Sequence, residues 1–521
     1  MLQADKPILI AKNQEGISNM LKRSSGVLLN VSSLPSAYGI GGLGKEVDDF
    51  CDFALSCGFH YWQILPVTTI GLGNSPYSGV SAFAGNYLYI DPETLSRQGY
   101  ISEDDRRACE ESNPYAVDYG KVIYAKREML KKAYFNAKDK LADKLRAFEK
   151  SAPWVREYAL FMTIKQSYDG APWWNWQECH KRMDDGAKRG YIADNADDYY
   201  YYVFEQYLFD EQWKDAKRRV NDKGMKFIGD MPMYVSMDSA DVWGDPSAFL
   251  LDENLMPKKV AGVPPDYFSE EGQLWGNPLY DYDRMRKDGF SWWMKRFDRM
   301  AELYDVLRID HFRAFSEYWA VDYGETTAKN GEWCEGVGEE LFKKVFKKHP
   351  KENFIAEDLG IIDEKVNDLL AKLGLPCMRV MQFGFEDGDS IHLPHNFSRN
   401  CVGYTATHDN DTTLGWMYGL KENILDYMLR YIECDRKDFG GGGYDCKATK
   451  IFIRRLISSC CRLAVVPFQD LCGYGGDCRM NTPGVADGNW TFRATRDAMN
   501  RVDKGYFHYI NCLYGRNNEL C

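Results

Sequence analysis

Four carboxylates lie at the carboxyl ends of short apolar segments. Asp230, Asp310, Glu357 and Asp409 each follow a run rich in aliphatic residues. Cleavage of a glycosidic bond with retention of configuration needs two carboxyl groups about 5 to 5.5 Å apart, one acting as nucleophile and the other as proton donor. Each residue alone could instead cap a helix or lie in a solvated loop. Four carboxylates at equivalent positions favour glycoside chemistry.

The stretch "DVLRIDHFRAF", residues 305–315, places charge inside a run that otherwise resembles a buried strand. Because side chains alternate along a strand, Arg308 and Asp310 lie on the same face. A neighbouring guanidinium favours the ionised form of a carboxylate, so we expect Asp310 to be ionised at neutral pH. His311 follows at the point where the strand ends.

Eight short β-rich runs alternate with longer helical or irregular segments. This pattern predicts a parallel sheet, and eight runs in one chain predict an α/β fold, the (β/α)8 TIM barrel. In such a barrel the loops that follow the strands build the active site. The predicted runs cover residues 26–32, 61–67, 226–235, 305–312, 353–360, 377–383, 401–409 and 462–470.

Uneven spacing between the runs indicates where the barrel is interrupted. We predict a catalytic barrel over residues 22–521, with a mostly helical inserted subdomain over 91–197, between the second and third strands. Residues 201–224 have helical periodicity and a terminal glycine, which predicts a barrel helix leading into the third strand. The Pro- and Gly-rich residues 231–282 predict a long loop over the active site.

Composition excludes several other classes of protein. The 521 residues carry a net charge of −12, which disfavours nucleic acid or an anionic membrane as a partner. Fifteen irregularly spaced cysteines without a CxxC pair are typical of reduced thiols, and neither a signal peptide nor an 18-residue apolar run is evident. We therefore expect a cytoplasmic protein. Its 14 tryptophans and 34 tyrosines suit stacking on sugars, although most should fill the core.

Two motifs that could bind a cofactor or a metal are weak. The glycines at 39, 41 and 44 match a dinucleotide fingerprint by letter, but no strand directly precedes them and no clear helix transition follows. The two histidines of "HLPH", residues 392–395, lack a third ligand nearby in sequence. We expect neither a metal nor an organic cofactor.

Longer motifs carry a family resemblance. "RIDHFR" (308–313), "AEDLG" (356–360) and "THDN" (407–410) resemble the catalytic signatures of the α-amylase clan. "SPYSGVSAFAGN" (75–86), "GDMPMYV" (229–235), "PPDYF...GQLWGNP" (264–278) and "RMNTPG...NW" (479–490) resemble the amylomaltases, the 4-α-glucanotransferases of glycoside hydrolase family 77. The resemblance extends from about residue 26 to residue 493, with the motifs in the family's order.

The resemblance implies a role for each matching residue. It makes Asp310 the nucleophile that forms a covalent intermediate, Glu357 the general acid and then base, and Asp409 the carboxylate that supports substrate distortion. Glu357 must then keep its proton, which requires a raised pKa. The resemblance also implies a set of substrate-binding residues, namely Ser75, Tyr77, Asp230, Asp266, Tyr267, Phe268, Gln273, Trp275, Arg308, His311, His408 and Asn481.

Hydrolases and transferases of this clan share the first half-reaction, so the carboxylates alone do not select between them. A loop that excludes water favours a sugar hydroxyl as the acceptor. The expected activity is therefore transfer of α-1,4-glucan segments between maltooligosaccharides. An α-1,4-glucan hydrolase and a non-catalytic glucan-binding protein are the alternatives, and the sequence leaves the oligomeric state open.

Overall fold

The computed structural model describes residues 22–265 and 269–517. Its strands in chain order are β1 (Ser24–Leu28), β2 (Tyr61–Gln63), β3 (Lys226–Met231), β4 (Lys259–Val263), β5 (Gln273–Pro278), β6 (Val306–Ile309), β7 (Glu317–Asp322), β8 (Gly331–Glu335), β9 (Phe354–Ala356), β10 (Cys377–Val380), β11 (Cys401–Tyr404) and β12 (Leu463–Pro467). Its α-helices are α1 (Lys45–Ser56), α2 (Pro92–Arg97), α3 (Glu103–Arg107), α4 (Tyr119–Ser151), α5 (Trp154–Ser167), α6 (Glu178–Lys181), α7 (Asp185–Asp194), α8 (Ala196–Asp222), α9 (Ala240–Gly244), α10 (Tyr282–Lys287), α11 (Ser291–Leu303), α12 (Gly338–Lys348), α13 (Glu364–Leu373), α14 (Thr413–Gly419), α15 (Glu422–Ile432), α16 (Lys447–Ser458), α17 (Phe468–Leu471), α18 (Arg496–Arg501) and α19 (Lys504–Leu513).

Eight of the strands close into a parallel barrel in the order β1-β12-β11-β10-β9-β6-β3-β2. The predicted (β/α)8 fold is therefore confirmed, and each predicted run overlaps one barrel strand, although β1 begins two residues before its run. All eight strands end earlier than the predicted runs, because the last residues of each run leave the ladder and enter the loops. All eight carboxyl ends consequently lie at one rim of the barrel.

Alternation along β6 decides which side chains enter the barrel. Val306 packs in the interior cluster with Ile228 and Ile355, whereas Leu307 packs in the larger outer core between the barrel and its helices. Arg308 has the same parity as Val306 and is paired in register with Asp230 of β3. This register brings a buried guanidinium and a buried carboxylate together inside the barrel.

Helices α2 to α7 lie between β2 and β3, and α8 leads into β3. The prediction of a helix before the third strand is confirmed. Helix α8 ends where Gly224 adopts a left-handed conformation, at φ 87°, which is characteristic of a helix stop. The boundaries predicted for the barrel and for the inserted subdomain, 22–521 and 91–197, stay predictions. Within the described ranges, no helix is long and apolar enough to cross a membrane.

The segment after β3 contributes to a second sheet that sequence analysis did not predict. Strands β5, β4, β7 and β8 form an antiparallel sheet in that order. Two of its strands come from the predicted loop 231–282, and the other two follow β6. The loops after two neighbouring barrel strands are therefore joined by backbone hydrogen bonds above the rim.

Close packing around β3 generates a prediction. A Cβ added to Gly229 would lie 2.1 Å from Cγ of Tyr304, so we expect Gly229→Ala to lower the free energy of unfolding by about 1–3 kcal/mol. Gly190→Ala in α7 is the control, because a Cβ there meets no atom within 4 Å and alanine favours a helix. Thermal unfolding compares the two variants. A Gly229→Ala protein that melts at the wild-type temperature contradicts this packing.

Candidate active site

The ends of β6 and β9 fix the positions of Asp310 and Glu357. Each residue directly follows its strand. The backbone N–H of Glu357 donates to the carbonyl oxygen of Ile309 at 3.0 Å, and the N–H of Phe312 donates to the carbonyl oxygen of Glu357 at 3.1 Å. Strand pairing therefore continues past both strands and holds these two carboxylates at adjacent points of the rim.

Arg308 joins two carboxylates through one nitrogen atom. Its Nη1 lies 2.7 Å from each carboxylate oxygen of Asp230 and 2.9 Å from Oδ1 of Asp310. The side chains of Arg308 and Asp230 are 4% and 0% exposed, whereas that of Asp310 is 29% exposed. The ion pair thus has one buried carboxylate and one that is partly exposed at the barrel rim, in the region that we call the cleft.

The surroundings of Glu357 favour the protonated form of its carboxyl. Burial raises the pKa of its carboxyl to about 8, and the nearby charge of Asp310 acts in the same direction, while Arg308 acts against both. Its two oxygens accept the backbone N–H groups of His311 at 2.7 Å and Leu359 at 2.8 Å. These two hydrogen bonds fix the orientation of the carboxyl, and a pKa of about 8 favours its protonated form at neutral pH.

His311 adopts a left-handed backbone conformation, φ 48° and ψ 47°. This conformation costs energy for a residue with a side chain, and it directs the His311 N–H towards Glu357. The imidazole ring lies 4.8 Å from the ring of Trp275 in β5, edge to face. Burial lowers the pKa of His311 to about 4, so the ring is neutral near pH 7 and can exchange hydrogen bonds with hydroxyl groups.

Tyr77 links the buried Asp230 to His408, which in turn lies close to Asp409. Its hydroxyl donates to Oδ2 of Asp230 at 2.7 Å and lies 2.9 Å from Nε2 of His408. The Tyr77 and His408 rings are stacked with centroids 5.2 Å apart. Nε2 of His408 lies 3.3 Å from Oδ2 of Asp409, and Nδ2 of Asn481 donates to Oδ1 of Asp409 at 2.6 Å.

The structure brings the described candidate residues into one connected group. Ser75 accepts the backbone N–H of Tyr77 through its hydroxyl at 3.2 Å, and Gln273 accepts the indole N–H of Trp275 at 3.1 Å. Three further candidates, Asp266, Tyr267 and Phe268, lie outside the described residues.

Sequence analysis missed three residues that shape this cleft. Arg479 donates to the backbone carbonyl oxygens of both Asp409 and Asn481. Trp490 packs against Tyr77, with ring centroids 5.8 Å apart, and Tyr234 packs against Trp275 at 6.1 Å. All three lie inside the motifs that carry the family resemblance, so motif membership is the signal that could have identified them.

The two weak cofactor motifs have packing roles. A Cβ at Gly41 would lie 1.9 Å from the carbonyl oxygen of Val31, so this glycine permits close backbone approach. Nδ1 of His392 accepts the backbone N–H of Val380 at 3.1 Å, and Nδ1 of His395 lies 2.9 Å from the Tyr431 hydroxyl. Among the described residues, no group of three or more His, Cys, Asp or Glu is arranged to hold a metal ion.

An eight-stranded parallel barrel with a buried acid and an ion-paired carboxylate at one rim defines a class of enzyme suited to glycoside chemistry. The sequence model of the 4-alpha-glucanotransferase family matches residues 29–498. The 4-alpha-glucanotransferase of Aquifex aeolicus is 42% identical over 499 residues, which cover 95% of this chain and 99% of the relative. The chloroplastic/amyloplastic 4-alpha-glucanotransferase of Solanum tuberosum is 38% identical over 483 residues, which cover 91% of this chain and 82% of the relative.

A solved structure agrees with these relatives. The amylomaltase of Streptococcus agalactiae in complex with acarbose superimposes with a TM-score of 0.91 at 38% identity, covering 95% of this chain and all of that one. The chain belongs to the 4-alpha-glucanotransferases of glycoside hydrolase family 77. The predicted family and enzyme class are therefore confirmed.

The Tyr77 hydroxyl can be tested without removing its ring. Tyr77→Phe keeps the stacking on His408 but removes a partner from buried Asp230. We expect a loss of about 1–3 kcal/mol in the free energy of unfolding and a fall in kcat/KM of roughly tenfold. Tyr124→Phe on α4 is the control, because Tyr124 is 71% exposed. Equal behaviour of the two variants would show that the Tyr77 hydroxyl has no such role.

Proposed function

We propose that this enzyme transfers α-1,4-glucan segments between maltooligosaccharides by a retaining double displacement. One feature carries the mechanism: Nη1 of Arg308 lies 2.9 Å from the Asp310 carboxylate, while burial raises the pKa of the neighbouring Glu357 to about 8. The ion-paired carboxylate suits the nucleophile, and the buried carboxyl suits the proton donor. The bound acarbose of the Streptococcus agalactiae amylomaltase supports an oligosaccharide as the ligand of this cleft.

In the first half-reaction a carboxylate oxygen of Asp310 attacks the anomeric carbon. The bond to the glycosidic oxygen breaks, and Glu357 gives its proton to that oxygen, so the shortened glucan leaves with a free hydroxyl. The remaining segment is then joined to Asp310 by an ester bond. Glu357 is now a carboxylate, and it takes a proton from the 4-hydroxyl of an acceptor glucan as that oxygen attacks the anomeric carbon and frees Asp310.

The surrounding residues hold the sugar at the cleavage point. Asp409 is oriented by Asn481 and by the backbone contact from Arg479, so we assign it to sugar hydroxyls that tighten in the transition state. We assign His408, beside Tyr77, and His311, beside Trp275, to hydrogen bonds with sugar hydroxyls. Tyr77 offers an aromatic face for stacking.

The second sheet contributes residues that favour a sugar rather than water as the acceptor. Trp275 of β5 is 38% exposed and lies beside His311. An exposed aromatic face next to the acid/base can bind an acceptor sugar and displace water from the intermediate. We therefore assign Trp275 and Gln273 to the acceptor side, and hydrolysis is the side reaction.

The acceptor assignment is tested with pure maltotriose. We expect a ladder of longer oligomers together with glucose, because each transferred segment lengthens another chain. Chromatography of the products over time measures this ladder. Formation of only glucose and maltose would instead identify an α-1,4-glucan hydrolase.

The nucleophile is tested by Asp310→Asn. We expect turnover to fall by at least about 10³-fold, while glucan binding persists, because the amide keeps the side-chain shape. Calorimetric titration with a maltooligosaccharide measures binding. Asp139→Asn, at an exposed position of α4, is the control and should retain full activity. Full activity of Asp310→Asn would exclude this nucleophile, and a wild type that binds but never turns over would indicate a non-catalytic binding protein.

The acid is tested by pH dependence. The protonated form of Glu357 is the active donor, so kcat/KM for a maltooligosaccharide should fall as pH rises through the pKa of about 8. Glu357→Gln should lack this alkaline limb and lose about 10²- to 10⁴-fold in rate. A nitrophenyl glycoside, whose leaving group needs no proton, should lose much less. An alkaline limb that survives in Glu357→Gln assigns it to another group.

A further inference from the structure

Arg296 is a buried cation that none of the catalytic steps uses. It lies in α11, is 2% exposed, and has its guanidinium 5.3 Å from the rings of both Trp292 and Trp293. Nη1 donates to the carbonyl oxygen of Met233 at 3.1 Å, and Nη2 donates to that of Pro232. Arg296 therefore holds two successive carbonyl groups of the segment that leaves β3.

Tyr234 follows Met233 in the chain and packs against Trp275 on the acceptor side. Tyr234 is 7% exposed. Its ring lies 6.1 Å from that of Trp275 and 6.5 Å from that of His311. Its other neighbour is Tyr280, which is stacked on it at 6.1 Å and whose hydroxyl also donates to the Met233 carbonyl oxygen at 2.9 Å. Tyr234 is thus packed between the Arg296 contacts and the exposed indole of Trp275.

A small cavity lies between Arg296 and two residues of the active site, Tyr77 and Asp230. Arg296, Tyr234, Tyr77 and Asp230 all line it, and its volume is about 20 Å³, enough for a single water molecule. Nε of Arg296 and the hydroxyl of Tyr234 are buried without a hydrogen-bond partner among the described residues. Arg296 and Tyr234 therefore border the same cavity as Asp230, the buried partner of Arg308.

From these contacts we propose that Arg296 is a positioning residue for the acceptor side, acting through the Pro232 and Met233 carbonyls and the ring of Tyr234 on Trp275. The inference rests on the proposed transfer activity. Asp310 and Glu357 are held by Arg308 and by the ends of β6 and β9, so the first half-reaction does not depend on Arg296. Loss of Arg296 should weaken acceptor binding and leave glycosyl-enzyme formation almost intact.

The experiment separates the two half-reactions in Arg296→Lys and Arg296→Met. Release of nitrophenol from a nitrophenyl maltooligosaccharide measures the first, and transfer to added glucose measures the second. We expect the KM for glucose and the ratio of hydrolysis to transfer to rise about tenfold, with nitrophenol release changing less than about threefold. Arg296→Lys keeps one charged donor and should recover part of the transfer that Arg296→Met loses.

Arg299→Lys is the matched control. Arg299 lies one turn further along α11, is 4% exposed and lies over Trp154 at 4.8 Å, but it pairs with Asp210 and contacts the Phe83 carbonyl oxygen. We expect it to lower the melting temperature without changing the acceptor KM. Equal effects of Arg296→Lys and Arg299→Lys on that KM would overturn the proposal.

If neither Arg296 variant folds, variants of Tyr234 test the role of this contact instead. Tyr234→Leu removes the ring against Trp275 and should raise the acceptor KM in the same way, whereas Tyr234→Phe should retain the wild-type value. An unchanged acceptor KM in Tyr234→Leu overturns the inference. Absence of transfer by the wild type is a separate result, because it refutes the proposed function before any variant is compared.

Discussion

The site depends on the ion pairs of the Arg308 guanidinium, which is enclosed at the end of the barrel interior. A buried cation is costly unless it is paired. Arg308 lies against Asp230 and Asp310. Asp230 is sealed from solvent and completes the ion pair within the barrel, so the second carboxylate can face the cleft as a charged group. Removal of Arg308 would leave two carboxylates in one low-dielectric space.

The same arrangement explains why Glu357 differs from Asp310. Arg308 opposes the rise of the Glu357 pKa, but burial and the charge of Asp310 outweigh it. Two carboxyl groups at neighbouring strand ends thereby lie in different environments, one paired with Arg308 and one buried with a raised pKa, and such a difference separates acid from nucleophile in glycoside chemistry. The strained backbone of His311 contributes by directing an N–H to Glu357.

Much of the barrel could be predicted because each of its strands is a short apolar run with a polar end. The second sheet could not be predicted in this way. Strand β5, "QLWGNP", contains glycine and proline, which disfavour strands, and it pairs with β4, which also pairs with β7 from beyond β6. The candidate site was accessible through motifs. Arg479 was missed because it acts on backbone carbonyls, and Arg296 because a charged residue in an amphipathic helix resembles a solvated one.

Protonation of Glu357 at neutral pH is the central claim, and infrared difference spectroscopy of its carboxyl tests it most directly. Spectra of the wild type minus Glu357→Gln isolate the Glu357 carboxyl from other buried acids. At pH 7 we expect a protonated-carboxyl band that disappears as pH rises through about 8. A difference spectrum at pH 7 that shows only an ionised carboxylate would contradict the assignment of Glu357 as the proton donor.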